Sequence, residues 1–162
     1  VTADVLCLTY GTCVGGAIVR GGAIYHGTNW SAGEFGMIYM NGEYYENIAS
    51  VTRLVEQAKS MDASLYDGRA ITARLNRSDV YALVDGWAKQ VAEGLASLIH
   101  IFNPACMIIG GGIIENKDVF NMVTSKVSEL TAPGFDVNIR SARFGNSAGL
   151  IGAGILAQKL MK

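Results

Sequence analysis

The chain has 162 residues, half of them hydrophobic, and 13 Lys and Arg face 14 Asp and Glu for a net charge of −1. That length suits one domain with a real core, and so even a balance argues against nucleic acid or an anionic membrane as partner, since both select clustered Lys and Arg. Two prolines exclude a collagenous or linker-like chain, whereas 20 glycines exceed the usual share of about 7% and point to tight turns or close backbone approach.

In chain order, Asp4–Tyr10 reads as a strand rich in β-formers and Val14–Arg20 as a second. Ala23–His26 is its return after a Gly21-Gly22 hairpin turn. Gly27–Gly33 is a loop by composition, and Phe35–Met40 a short strand. The period then changes. Ile48, Val51, Leu54, Val55 and Ala58 make one helical stripe with Asn47 near its start, and Asp67–Leu75 is a shorter helix. Ser78 is placed as the N-cap of a long helix with Val80, Val84, Trp87, Val91, Leu95 and Leu98 on one face, which Pro104 ends. Ala105–Ile109 suits a buried parallel strand, followed by Gly110-Gly111-Gly112 and a helix over Lys117–Leu130. Asp136–Arg140 is a last strand and Ser147–Leu160 a last helix. A hairpin meander followed by strand–helix alternation predicts an α/β fold: a mixed five-stranded sheet with helices on both faces.

Cys7, Cys13 and Cys106 cannot all pair, and each sits in an apolar run where cysteine behaves as a small buried hydrophobe. A reducing, cytoplasmic compartment is expected. No stretch reaches the ~18 apolar residues of a membrane span, and no basic leader precedes the first strand. The chain starts at Val1 and enters a strand almost at once, which reads as a piece of something longer.

Two glycine-rich turns each follow a strand. In Gly11-Thr12-Cys13-Val14-Gly15-Gly16, small residues free backbone N–H groups to face an anion, and Thr12 adds a hydroxyl donor. At Gly110-Gly111-Gly112, missing Cβ atoms let a flat ring or a phosphate approach the backbone. Either triplet alone reads equally well as a tight turn. Neither is a Walker A motif, since no Lys-Ser/Thr follows, and Gly110–Glu115 lacks the third glycine of a dinucleotide fingerprint. His26 and His100 are distant in sequence and read as surface residues, with no Ser-His-Asp or metal constellation.

Gly11–Ala17 resembles the GTGIGGG turn of the ROK family of repressors, uncharacterised frames and sugar kinases. Ser31–Met37 is similar to that family's AGEIGH segment, Asn103–Gly112 to its NP-x-x-I-x-x-GGG segment, and Gly145–Ala153 to the start of its C-terminal helix. The four segments run in family order along nearly the whole chain. The resemblance implies the C-terminal lobe of an actin-like ATPase (ribonuclease H-like) sugar kinase, with the N-terminal lobe and its catalytic Asn-Asp pair absent here. It implies phosphate binding by Gly11, Thr12, Gly15 and Gly16, adenosine contact by Gly110, Gly111 and Gly112, and sugar binding by Glu34 and Glu46. ATP, Mg²⁺, a hexose substrate and a homodimer come with it.

Without the resemblance, Glu34 is a solvated loop carboxylate and Glu46 a first-turn helix acid. Trp30, before Glu34, suits stacking on a pyranose or anchoring a loop. The family histidine that binds zinc and sugar is Met37 here, and the zinc cysteines have no counterpart in Ile38–Tyr45. No structural zinc is expected, because Met, Glu34, Glu43 and Glu46 make a poor donor set. Packing of Tyr39, Tyr44 and Tyr45 is expected to hold the loop instead. Three readings follow: an ATP-dependent hexose kinase, a sugar-responsive repressor whose DNA-reading part lies outside the chain, and an oligomerisation module using apolar surface on Asp79–Phe102.

Overall fold

Residues 3–161 are described by the structure, a computed structural model. Strand β1 (Val5–Tyr10) alternates as its β-formers require: Leu6, Leu8 and Tyr10 are buried on one face, and Val5, Cys7 and Thr9 point to the other. It pairs antiparallel with β2 (Val14–Arg20), which pairs with β3 (Ala23–Tyr25) across Gly21 and Gly22, both at positive φ. On its other edge β1 pairs in parallel with β6 (Cys106–Gly110), and β6 in parallel with β7 (Asn138–Ser141). The sheet order is β3-β2-β1-β6-β7, the mixed five-stranded sheet expected.

Residues 35–40 do not form the single strand expected. Phe35–Met37 is a 3₁₀ turn, and only Tyr39–Met40 (β4) is a strand, pairing with β5 (Glu43–Tyr44). Asn41 and Gly42, at φ 55° and 86°, close this hairpin. An Asn-Gly pair tolerates two left-handed residues, as a two-residue turn requires. The single stripe at residues 48–58 is two helices, α1 (Tyr45–Ala49) and α2 (Val51–Met61). Ser50 takes an extended backbone between them, and its hydroxyl accepts from the Arg53 N–H, so it caps the second helix instead of continuing the first.

Helix α3 (Gly68–Thr72) is capped by Asp67, which accepts from the Ala70 N–H at 2.7 Å. Helix α4 (Ser78–Phe102) starts one residue earlier than expected: Arg77, not Ser78, holds the N-cap position. The Arg77 guanidinium is bonded to both Asp62 and Asp79, and Asp79 in turn accepts from the Val80 N–H. At the far end Asn103 turns left-handed at φ 41°, Pro104 follows, and β6 begins. Helix α5 (Lys117–Leu130) is capped by Asn116.

The expected apolar face of α4 packs inward. Val80, Val84, Trp87, Val91, Leu95, Leu98 and Ile99 join Leu6, Leu8, Tyr10, Met107 and Ile109 in one buried cluster. Asp79–Phe102 is therefore mainly core rather than free apolar surface, apart from Tyr81 and its last turn. His100 is exposed as expected, yet its Nε2 accepts from the Ala132 N–H at 3.0 Å and holds the loop after α5. Helix α6 (Ala148–Leu160) stands on the opposite side of the sheet, where Ala148 and Gly149 share a cleft with Thr9 and Gly15. Its Leu150 is 80% exposed, and Ile155 and Leu156 are half exposed. No helix among the described residues is long and apolar enough to cross a membrane.

Candidate functional site

The segment after β1 cannot run straight on, because β2 must return antiparallel. The Gly11 N–H donates to the Cys13 carbonyl at 3.0 Å, closing a tight turn. The Val51 N–H then donates to the Gly11 carbonyl at 2.9 Å, which fixes that turn to the start of α2. Beside it, Gly111 leaves β6 at φ 120°, and a Cβ there would run into the Tyr10 carbonyl oxygen. Only glycine fits.

These two turns form the walls of a cleft of about 450 Å³. Gly11, Thr12, Gly15, Gly111 and Gly112 all line it, so five of the expected nucleotide residues come together. Sequence reasoning missed its far wall, Gly145, Ala148 and Gly149. The small residues of the Gly145–Ala153 segment were the available signal.

Gly16 and Gly110 stand outside this lining and serve the scaffold. A Cβ on Gly16 would strike the Phe35 ring and lie 2.5 Å from the Gly33 carbonyl, and one on Gly110 would lie 2.9 Å from the Ala142 Cβ. Gly16 thus lets the Gly33–Phe35 segment dock on β2. That docking fixes Glu34, whose side chain is exposed at the head of the 3₁₀ turn. Gly36, two residues on, is pressed between the Val14 carbonyl and the Glu46 carboxylate: a Cβ there would lie 2.5 and 3.0 Å from them. Glu34 and Glu46 are therefore held on the same small unit.

Glu46 opens into a second cleft of about 420 Å³, which Thr12, Cys13, Glu43, Arg53 and Glu56 also line. Glu34 is not part of its lining. Thr12 and Cys13 line both clefts, so the Gly11–Cys13 turn is the partition between a glycine-lined cleft and one that holds Glu43, Glu46, Glu56 and Arg53. Cys13 is exposed, not the buried hydrophobe its apolar run suggested, because the turn puts its side chain on the rim. The charge of the nearby Glu46 carboxylate raises the pKa of that thiol. A third cleft of about 280 Å³ shares Gly11 and Gly112 and brings in Asp67, Arg69 and Glu115, none of which the sequence singled out.

A larger cleft, about 580 Å³, lies between the ends of α4 and α5 and the 131–139 loop. It holds one ionisable side chain, Asp136, and no predicted site residue, so size alone does not mark the site. Trp30, at φ 65°, stacks on His26 with ring centroids 4.1 Å apart. Met37 is half exposed. Among the described residues no group of three or more His, Cys, Asp or Glu is placed to hold a metal ion. The donor set near Glu34 is carboxylate and thioether, which does not fit a structural zinc.

The sequence pattern of the ROK family matches residues 1–160. The chain belongs to the ROK family. A glucokinase of Halalkalibacterium halodurans is 32% identical over 186 residues, covering 96% of this chain and 56% of that protein. A beta-glucoside kinase of Listeria innocua is 30% identical over 164 residues, covering 93% and 55%. A ROK family glucokinase from Streptomyces griseus, solved in complex with glucose and AMPPNP, superposes with a TM-score of 0.81 at 26% identity, covering 97% of this chain and 61% of that one. These neighbours place the fold among the actin-like ATPases. The chain spans about half the length of the curated relatives it matches.

Proposed function

We propose that these residues are the C-terminal lobe of an ATP-dependent sugar kinase acting on a hexose, with the catalytic base supplied by an N-terminal lobe outside this chain. Support comes from one observation: the Gly11–Cys13 turn separates a cleft walled by glycines from a cleft holding Glu46. Phosphoryl transfer needs phosphates on one side and a hydroxyl acceptor on the other, in line across a short distance.

Backbone N–H groups of the turn and the Thr12 hydroxyl would hold phosphate oxygens, and Gly111 and Gly112 would leave room for the nucleoside. Mg²⁺ bound with ATP supplies charge neutralisation at the phosphates. Glu34 and Glu46 would accept hydrogen bonds from sugar hydroxyls and orient the acceptor. The apolar α6 would be covered by the absent lobe. A cytoplasmic homodimer completes the reading.

A coupled assay of the full-length protein across hexoses and β-glucosides, with ATP, tests it. Turnover on at least one sugar is expected, and Glu34→Gln or Glu46→Gln should lower kcat/KM by about 10² to 10³, equivalent to ~2–4 kcal/mol of transition-state binding. The 162-residue chain alone should transfer no phosphoryl group. Wild-type turnover in both variants would remove the sugar role. Absence of turnover on every sugar, with an upstream helix-turn-helix, would leave the repressor reading.

A further inference from the structure

We propose that Trp30 is a platform for the second ring of a glucoside whose first ring is held by Glu34, and that it favours such glucosides over the free hexose. The platform rests on the sugar-binding role proposed for Glu34.

A Trp in a loop either anchors the loop or stands free for a ligand, and the contacts separate the two. The loop between β3 and the 3₁₀ turn is anchored without it. The Ala32 N–H donates to the His26 carbonyl at 3.1 Å, so the loop closes on itself. A Cβ on Gly33 would lie 3.0 Å from the Ala17 Cα, and the buried Phe35 ring fills the space beside Gly16. Trp30 takes no part in this packing, since it is 77% exposed. An aromatic that held the loop down would be buried.

The indole is nevertheless held in place. It stacks on His26 with ring centroids 4.1 Å apart and planes tilted by 37°. One face is thus backed by the imidazole, and the exposure leaves the other open. The Trp30 backbone is at φ 65°, a conformation that is costly for a bulky side chain. Strain of this kind persists where a side chain must point in one direction. A stiff aromatic with one open face binds a flat apolar surface with little loss of side-chain freedom. The C–H face of a pyranose and an aryl ring both present such a surface.

Position selects the second ring over the first. Tyr25 pairs with Ile18, so His26 enters the loop at the level of Ala17, and Gly33 leaves it against Gly16 and Ala17. Glu34 follows at once, at the exposed head of the 3₁₀ turn. Four residues of chain limit the Trp30 and Glu34 Cα atoms to a separation of about 14 Å. Beyond Glu34 the chain runs along β2 to Gly36, beside the Val14 carbonyl and Glu46, and so toward the Gly11–Cys13 turn. The Trp30 loop therefore springs from the side of Glu34 away from the glycine-lined cleft. That is where the part of a sugar that receives no phosphate has to go.

Two experiments on the full-length protein test this. In steady-state kinetics with glucose, cellobiose, maltose and phenyl β-glucoside, Trp30→Ala should lower kcat/KM on the best glucoside relative to glucose by about fivefold, the size of one aromatic stacking contact. Trp30→Phe should keep that ratio within about twofold, because it keeps a ring. An unchanged ratio in Trp30→Ala, an equal loss on glucose, or rejection of all three glucosides by a wild-type protein that uses glucose would overturn the proposal. The second experiment needs no turnover: tryptophan emission is followed as the same glucosides are added without ATP, to wild type and to Trp30→Phe. A saturable blue shift is expected in the wild type and not in the variant. Identical responses would overturn the platform, as would failure of acrylamide to quench Trp30 in the ligand-free protein, since another part of the protein would then cover it. A Trp30-dependent shift in a protein that phosphorylates no sugar would keep the platform and reject the kinase.

Discussion

The phenolic oxygens of Tyr10 and Tyr45 lie 2.9 Å apart, and the Tyr45 hydroxyl donates onward to the Val91 carbonyl at 2.7 Å. One strand and two helices are joined by this buried chain, and Gly94 makes room for it: a Cβ there would run into the Tyr45 ring. Burial raises the pKa of both phenols above the ordinary value. Above about pH 10 the folded state therefore holds more protons than the unfolded one. Stability from this pair is fully present below pH 10 and falls as pH rises beyond it. Urea midpoints should stay level through neutral pH and decline above ~10. In ultraviolet titration, two of the seven tyrosines should ionise only as the protein unfolds. Tyr45→Phe should cost about 1–3 kcal/mol at pH 7, because it strands the Tyr10 hydroxyl in the core.

Two glycines of the same cleft should respond in opposite ways. Gly111 is at φ 120° with the Tyr10 carbonyl where a Cβ would go, so Gly111→Ala should destabilise by about 2 kcal/mol or more and lower Tm. Gly11 has open space around its Cβ position and no positive φ. Gly11→Ala should leave stability within about 0.5 kcal/mol while raising the ATP KM, since the added methyl enters the cleft. Thermal melts and kinetics on the two variants check this contrast.

The Tyr39–Tyr44 hairpin should need no metal. Tyr39 and Tyr44 meet edge to face with centroids 5.6 Å apart, and the Tyr39 hydroxyl donates to the Gly42 carbonyl at 2.6 Å. Elemental analysis should find less than ~0.1 equivalent of zinc, and a strong chelator should leave Tm unchanged. Tyr44→Ala should cost about 0.5–1.5 kcal/mol through the lost aromatic pair. Stoichiometric zinc that resists chelation would refute the metal-free hairpin.

The sheet was readable because Asp4–Tyr10 is rich in β-formers and Gly21-Gly22 marks the return. Helix α4 was readable from its 3.6 period. What escaped was decided by contacts that no local period carries. Ser50 looks like one more residue in a continuous helical stripe until its backbone is seen extended between Ala49 and Val51. Phe35 reads as a strand residue, but its ring is held by the space that Gly16 vacates on β2. Cys13 sits among apolar neighbours in sequence, yet the turn lifts it to the rim between two clefts. Gly11 and Gly111 are about a hundred positions apart, and only the parallel pairing of β1 with β6 brings their turns to one cleft.

Trp87 is buried beside the Gly11 turn's anchor. Its indole N–H donates to the carbonyls of Ala49 and Ser50 at 3.0 and 3.2 Å, immediately before the Val51 N–H that holds Gly11. The protein thus carries an optical probe wired to its own partition. A ligand that shifts the turn must shift the carbonyls on which the indole rests, and with them its emission. Trp30, 77% exposed and remote from that anchor in sequence, can be replaced by Phe, leaving Trp87 to report cleft occupancy without any attached label.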